Sequence, residues 1–264
     1  MGTLASNEPI LRDDVMAGVW QVAVSEPGCS HGSGGQQSCI EVSGLPLTFA
    51  DGRPVGIEPS TLRSLSYGFK RVIDLVLGSA ALVVLGPLLI ITALAIRLTS
   101  PGPALFRQDR DGLNGKVISI YKFRSMFADR GDITGVAQTK KGDARITPIG
   151  HFIRRTSIDE LPQLINVIKG DMSLVGPRPH PIGMLADGKP YEALVPYYHD
   201  RHAMKPGISG WAQANGLRGA TDNARVATAR IEHDVAYVQN FSILLDIKII
   251  FLTIRNEFIT GTGN

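Results

Sequence analysis

The chain has 264 residues, of which 44% are hydrophobic, 19% are charged and two are cysteine. That length and apolar content exclude a disordered chain or a small disulfide scaffold and suit one sizeable core with an appendage. The formal charge of +3 is unevenly spread: residues 1–66 hold three basic and seven acidic side chains, a formal −4, which leaves +7 on the rest. A basic body points to anionic partners such as lipid headgroups, phosphates or nucleic acid.

The opening stretch, "MGTLASNEPILRDD", lacks the basic-then-apolar order of a signal peptide. Cys29 and Cys39 follow in "EPGCSHGSGGQQSC", with no His or second Cys pair at zinc-ligand spacing, so a reducing compartment is expected. This Gly/Ser-rich segment buries too little apolar surface to offset its ordering entropy. "GLPLTFADGRPVGIEP" has strand-like character broken by turns. Residues 1–66 therefore read as a flexible leader, and residues 1–60 as dispensable for catalysis.

From Leu75 to Ile96 no residue is charged. As a helix those 22 residues reach about 33 Å, roughly one bilayer core. The residues alone favour a spanning helix, but two features oppose it. Gly86-Pro87 lies mid-segment, where proline removes a backbone hydrogen bond and kinks a helix. Basic residues flank both ends, with Lys70 and Arg71 before and Arg97, Arg107 and Arg110 after. A spanning helix concentrates them on its cytoplasmic side. A kinked helix that enters and leaves by one face would bring both basic ends to the same anionic surface.

Two strand-like runs then surround "DGLNGK", a hairpin signal, and the alternation in "ISIYKFR" predicts one face carrying Lys122 and Arg124. Residues 128–145 read as a polar loop, 149–156 and 160–169 as helices with Gly170 as the stop, and "MSLVGPRP" as a short strand entering a rigid loop. Helices at 222–239 and 242–258 close the pattern, the last apolar enough to be a core or an interfacial helix.

The densest chemistry lies in "RRTSIDELPQL", Arg154–Leu164. With Ser157 as N-cap, Glu160 completes a capping box, but Pro162 falls where its missing N–H would be used. With Asp159 as N-cap, Pro162 falls in the tolerant first turn. Asp159 is thus either a plain cap or a functional carboxylate, kept ionised by the dipole of a helix start that also suits phosphate. Arg145, Arg154, Arg155 and Arg178, converging with Lys122 and Arg124, would make a diphosphate clamp. Arg178 is stiffened by the prolines of "GPRP". Asp234 reads as a helix-surface charge, whereas Asp246 inside "ILLDIKII" is harder to dismiss. No Walker loop, G-x-S-x-G, Rossmann fingerprint or metal motif is present.

Four colinear blocks go further. They are "KRVIDLVL…GPLLIITALAIRLTSPGPALFRQDRDGLNGKVISIYKFRSM", "IGHFIRRTSIDELPQLINVIKGDMSLVGPRPHP", "RHAMKPGISGWAQANGLRGATD" and "HDVAYVQNFSILLDIKIIFLT". Together they resemble the bacterial sugar transferase family of monotopic polyprenyl-phosphate phosphoglycosyl transferases, over about residues 67–258. The resemblance implies an α+β, mostly helical fold: a re-entrant membrane helix at 67–100, a small β-hairpin, interfacial amphipathic helices, and a cytoplasmic catalytic domain over 101–264 at the membrane surface. It places the protein on the cytoplasmic face of the bacterial inner membrane.

The resemblance also implies a reaction. A sugar 1-phosphate, with glucose or galactose as the sugar, passes from a UDP-sugar to polyprenyl (undecaprenyl) phosphate, UMP is released, and exopolysaccharide synthesis begins. Asp159 would be the nucleophile, forming a phosphosugar-aspartyl intermediate, and Glu160 would support it or the metal, with Mg²⁺ held at Asp159 and Glu160. Arg110, Lys122, Arg124, Arg145, Arg154, Arg178, Asp234 and Asp246 are the expected substrate-binding residues. The expected partners are the UDP-sugar, the polyprenyl phosphate, membrane lipid and a second copy of the chain. Nucleic acid is excluded, because no recognition motif is present and a nucleic-acid binder leaves the uncharged segment unexplained. "GATD" stands where the family more usually has "GETD", so an acid is missing at Ala220. The alternative, a catalytically silent scaffold of polysaccharide assembly, leaves the intact Asp-Glu dyad unexplained.

Overall fold

The computed structural model describes residues 37–56, 61–129, 142–219, 221 and 223–256. A three-stranded antiparallel sheet, β1 (Gln37–Val42), β2 (Leu45–Ala50) and β3 (Arg53–Pro54), precedes the long helix α1 (Thr61–Thr99). The hairpin β4 (Leu105–Asp111)–β5 (Val117–Phe123) follows, then α2 (Pro148–Arg155), a 3₁₀ turn (Ile158–Gln163), α3 (Leu164–Lys169) and β6 (Ser173–Val175). After the two-residue strands β7 (Leu185–Ala186) and β8 (Lys189–Pro190) come α4 (Tyr191–Leu194) and a 3₁₀ turn (Tyr198–Ala203). The described chain closes with β9 (Gly207–Ser209), α5 (Trp211–Ala214), α6 (Ala224–Gln239) and α7 (Ile243–Arg255). The architecture is mostly helical with small sheets, as expected.

Part of the expected leader is not loose. In β1 and β2, Val42 and Leu47 join Ala227, Ile231 and Val235 of α6 in one buried cluster. The backbone of the sheet is also claimed: Trp211 Nε1 donates to the Val42 carbonyl at 3.2 Å, and the Gln239 amide exchanges bonds of 3.0 Å with both backbone groups of Thr48. The segment looked weak because its apolar residues are few. They are placed on the one face that α6 covers. Residues 1–36 and Ala220 lie outside the described residues.

Helix α1 has 39 residues, about 58 Å of axial rise, and is long and apolar enough to cross a membrane by length and composition. Both of its ends nevertheless dock on the rest of the protein. At the N-terminal end Lys70, Asp74 and Gly78, spaced four apart, form the buried face. Lys70 pairs with Asp246 of α7 at 2.6 Å. Arg71 donates to the Val167 and Ile168 carbonyls at 2.6 and 2.8 Å, satisfying the open C-terminal end of α3. Asp74 accepts from Ser173 Oγ and from the Leu174 amide at 3.0 and 2.9 Å. At the other end Ile96 packs with Phe123 and Ile153. Between the docked ends the surface is apolar and open, with Val83 77% and Val84 75% exposed.

Candidate active site

The hairpin builds one wall of the site. Cross-strand register sets Gln108 opposite Ile120 and Arg110 opposite Ile118, so these side chains share a face with Lys122. Ile118 and Ile120 bury that face against Val167 of α3 and Met172. The fit is fixed by Asn166 of α3, whose amide accepts from the Tyr121 backbone at 2.9 Å and donates to the Ser119 carbonyl at 2.8 Å. That side chain acts as an extra rung of ladder beside β5. It holds the turn before α3, with Asp159 and Glu160, against Lys122.

The predicted helix over 160–169 is two elements: a 3₁₀ turn that accommodates Pro162, then α3 ended by Gly170 at φ 91°. Ser157 sits at the start in the left-handed region (φ 53°), with no side-chain capping bond. Asp159 is inside the turn, so the plain-cap reading is not what the structure contains. Helix α2, by contrast, is capped as a sequence reader would wish: Thr147 Oγ1 accepts from Gly150 N at 2.9 Å and Pro148 opens the first turn.

The two acids differ sharply. Glu160 Oε1 accepts from Lys122 Nζ at 2.8 Å and from Arg178 Nη2 at 2.6 Å, and Oε2 accepts from Arg178 Nη1 at 3.2 Å. Burial alone would raise its pKa, but the Arg178 and Lys122 charges overwhelm that and hold it well below the carboxylate range. Asp159, buried at 9% exposure, has no hydrogen-bond or ion-pair partner among the described residues. Burial, and then the Glu160 charge, push its pKa up to about 6, against the pull of Lys122, Arg154 and Arg178. This corrects the expectation of a helix dipole keeping Asp159 at low pKa, because a six-residue 3₁₀ turn offers little dipole and burial dominates.

Arg110 lines the same small cleft as Lys122, Glu160, Gln163, Arg178 and Pro179. Burial, with Arg178 beside it, lowers its pKa to about 9. Arg154 lies in the last turn of α2, its charge acting on Asp159, and reaches Ser125 Oγ at 3.4 Å. Arg110, Lys122, Arg154 and Arg178 therefore face two carboxylates and leave a surplus of positive charge for a bound anion.

Four expected binding residues are elsewhere. Arg124 turns away from Lys122 after β5 ends and donates to the Ser100 carbonyl and hydroxyl at 2.8 and 2.9 Å and to the Pro101 carbonyl, stapling the end of α1. Arg145 pairs with Asp143 at 2.6 Å. Asp234 is 1% exposed and pairs with Arg201 at 2.6 Å, so it is no helix-surface charge. Asp246 is taken by Lys70 and by Tyr237 Oη at 2.7 Å. Arg145 is taken by a neighbour two residues away, and the other three by partners distant in the chain, which spacing does not reveal. The sequence reading missed Asn166, Arg201 and Arg218, the last close enough to interact electrostatically with Arg178 and Glu160. An Asn amid the apolar residues of "LINVIK" was the available signal for the first.

Among the described residues no group of three or more His, Cys, Asp or Glu is placed to hold a metal. Asp159 offers an open carboxylate, whereas both Glu160 oxygens are engaged by cations. Such a site suits Mg²⁺ only where phosphate oxygens supply further ligands.

The bacterial sugar transferase family model matches residues 65–260. The exopolysaccharide production protein PSS of Rhizobium leguminosarum bv. phaseoli is 57% identical over 194 residues, covering 74% of this chain and 97% of that protein. The UDP-glucose:undecaprenyl-phosphate glucose-1-phosphate transferase of Escherichia coli K12 is 44% identical over 219 residues, 83% of this chain but only 45% of that protein. The enzyme of the same name from Caulobacter vibrioides is 45% identical over 233 residues, 83% of this chain and 86% of its own length.

Proposed function

The chain belongs to the bacterial sugar transferase family, and we propose that it moves a hexose 1-phosphate from a UDP-sugar to undecaprenyl phosphate. The observation that carries the reading is the contrast in the dyad: Asp159 stands open among cations while Glu160 is locked by them. The names of the Escherichia coli and Caulobacter relatives make UDP-glucose the first substrate to test and undecaprenyl phosphate the acceptor.

In the proposed mechanism the diphosphate settles on Arg110, Lys122, Arg154 and Arg178. An Asp159 carboxylate oxygen attacks the β-phosphorus, a P–O bond forms, and the β-phosphorus–oxygen bond to UMP breaks with its electron pair leaving on UMP. The phosphate of the lipid then attacks the same phosphorus, and the aspartyl–phosphorus bond breaks to restore the carboxylate. Two anionic phosphates are thus never required to meet directly without the carboxylate as relay. Glu160 keeps Lys122 and Arg178 in place, so removing it disorders the clamp. Mg²⁺, held by Asp159 and substrate phosphate oxygens, would neutralise diphosphate charge.

A re-entrant α1 is part of the proposal. Its two ends are docked on the same body, through Lys70, Arg71 and Asp74 at one end and Ile96 and Ser100 at the other. A membrane between them would have to separate groups that touch one folded unit. An interfacial α7 is supported by Leu244, Ile247, Phe251 and Ile254, exposed at helical spacing. Basic residues at both ends favour the cytoplasmic face of the inner membrane. Release of UMP from UDP-glucose by the purified protein, dependent on undecaprenyl phosphate, tests the reading. No release with any UDP-sugar would favour a silent scaffold.

A further inference from the structure

We infer that Arg201 is a positioning residue for the phosphate clamp, holding the Gly-Pro-Arg-Pro loop so that Arg178 meets Glu160. The inference rests on the reading of the cleft as a phosphate site. Arg201 lies in the 3₁₀ turn Tyr198–Ala203 and is 1% exposed. Its Nε and Nη2 both bond Asp234 Oδ2, at 3.0 and 2.6 Å, and Nη2 also donates to the Arg178 carbonyl.

An ion pair placed for stability alone gains most from two parallel bonds to two oxygens. Here both donors converge on Oδ2, the guanidinium also lies over the Tyr198 ring, and among the described residues Asp234 Oδ1 is left buried without a hydrogen-bond partner. That costs free energy unless the guanidinium is aimed at something else, and what it reaches is the loop. The loop needs such help, because Pro177 and Pro179 have no N–H to anchor it. Its three consecutive carbonyls are each taken by an outside donor: Pro177 by the Gly207 amide at 3.0 Å, Arg178 by Arg201, and Pro179 by Arg110 Nη1 at 2.8 Å. Gly207 is fixed by β9 and Arg110 is itself in the cleft. Arg201, neutralised by Asp234 of α6, is the grip that ties the loop to the helical body. A lysine could keep the ion pair, but its single nitrogen lacks the fork that spans carboxylate and carbonyl.

The test is Arg201→Lys in the full chain, in lipid nanodiscs, alone and combined with Arg178→Ala. We expect a melting temperature within about 5 °C of the parent. Hydrogen exchange over 173–184 should rise on the order of tenfold. UMP release should fall by about tenfold, and that further loss should vanish when Arg178 is already Ala, because Arg201 acts through it. Unchanged exchange over 173–184, or an equal loss of activity in both backgrounds, overturns the inference. If the parent releases no UMP, the reading of the cleft fails separately and the exchange result alone decides on Arg201. Should Arg201→Lys not fold, Arg201→Gln with Asp234→Asn removes both charges together, and the same two readouts apply.

Discussion

Asp159 and Glu160 are neighbours in the chain with opposite electrostatics: among the described residues, Glu160 carries three bonds from Lys122 and Arg178, and Asp159 carries none. The cations that lower one acid leave the other, buried beside it, with a pKa of about 6. A group titrating there is ionised at neutral pH and remains a better nucleophile than a tightly paired carboxylate.

The acid limb of kcat/KM is therefore expected near pH 6, rising about tenfold per pH unit below it and flat above. Stability should move the other way. Asp159's folded pKa is raised above the unfolded 3.8. Its protonated form favours the fold, and stability falls as pH climbs from about 4 to 6. Asp159→Asn removes that fall, so relative to the parent it should gain on the order of 2–3 kcal/mol between pH 4 and pH 7. Chemical denaturation at both pH values checks this, and an equal difference at the two shows that Asp159 is not raised.

Glu160→Gln should cost roughly 2 kcal/mol of stability, because it leaves Lys122 and Arg178 partly buried without their counter-charge. UMP release should drop with it. A variant of parental stability would mean the two ion pairs contribute nothing to the fold.

Removal of residues 1–60 should cost about 3 kcal/mol or more, since Val42 and Leu47 leave a core shared with α6. The sequence alone suggests that this segment is dispensable for catalysis. Thermal melts of the truncated and full proteins decide, and an unchanged midpoint would rule out a structural role for β1–β3.

Cysteines placed at the exposed positions Thr61 and Lys116 should both resist an impermeant thiol reagent added to intact cells and both react in inverted vesicles, because both ends of α1 dock on one body. Labelling of only one of the two from outside would establish a spanning helix. Pro87→Ala should shift the labelling toward that pattern.

Much of the fold was legible: the hairpin around "DGLNGK", helix α2, the stop at Gly170, the apolar segment and the two closing helices follow from period and turn chemistry. The site was legible in part. Lys122 and Arg178 meet at Glu160 and Arg154 lies near Asp159, as the clustering of basic residues around the dyad in the sequence suggests. Arg124, Asp234 and Asp246 misled because a buried partner, Ser100, Arg201 or Lys70, lies 24 to 176 residues away. Arg201 was invisible for the same reason. The sheet at 37–54 was hidden because four or five well-placed apolar residues suffice when a helix supplies the other face.

The most direct measurement is mass spectrometry of the protein incubated with UDP-glucose in the absence of undecaprenyl phosphate. The result expected is a hexose-phosphate adduct on the peptide containing Asp159, absent in Asp159→Asn and discharged when undecaprenyl phosphate is added. An adduct on another residue, or full turnover by Asp159→Asn, would contradict the role of Asp159 as nucleophile.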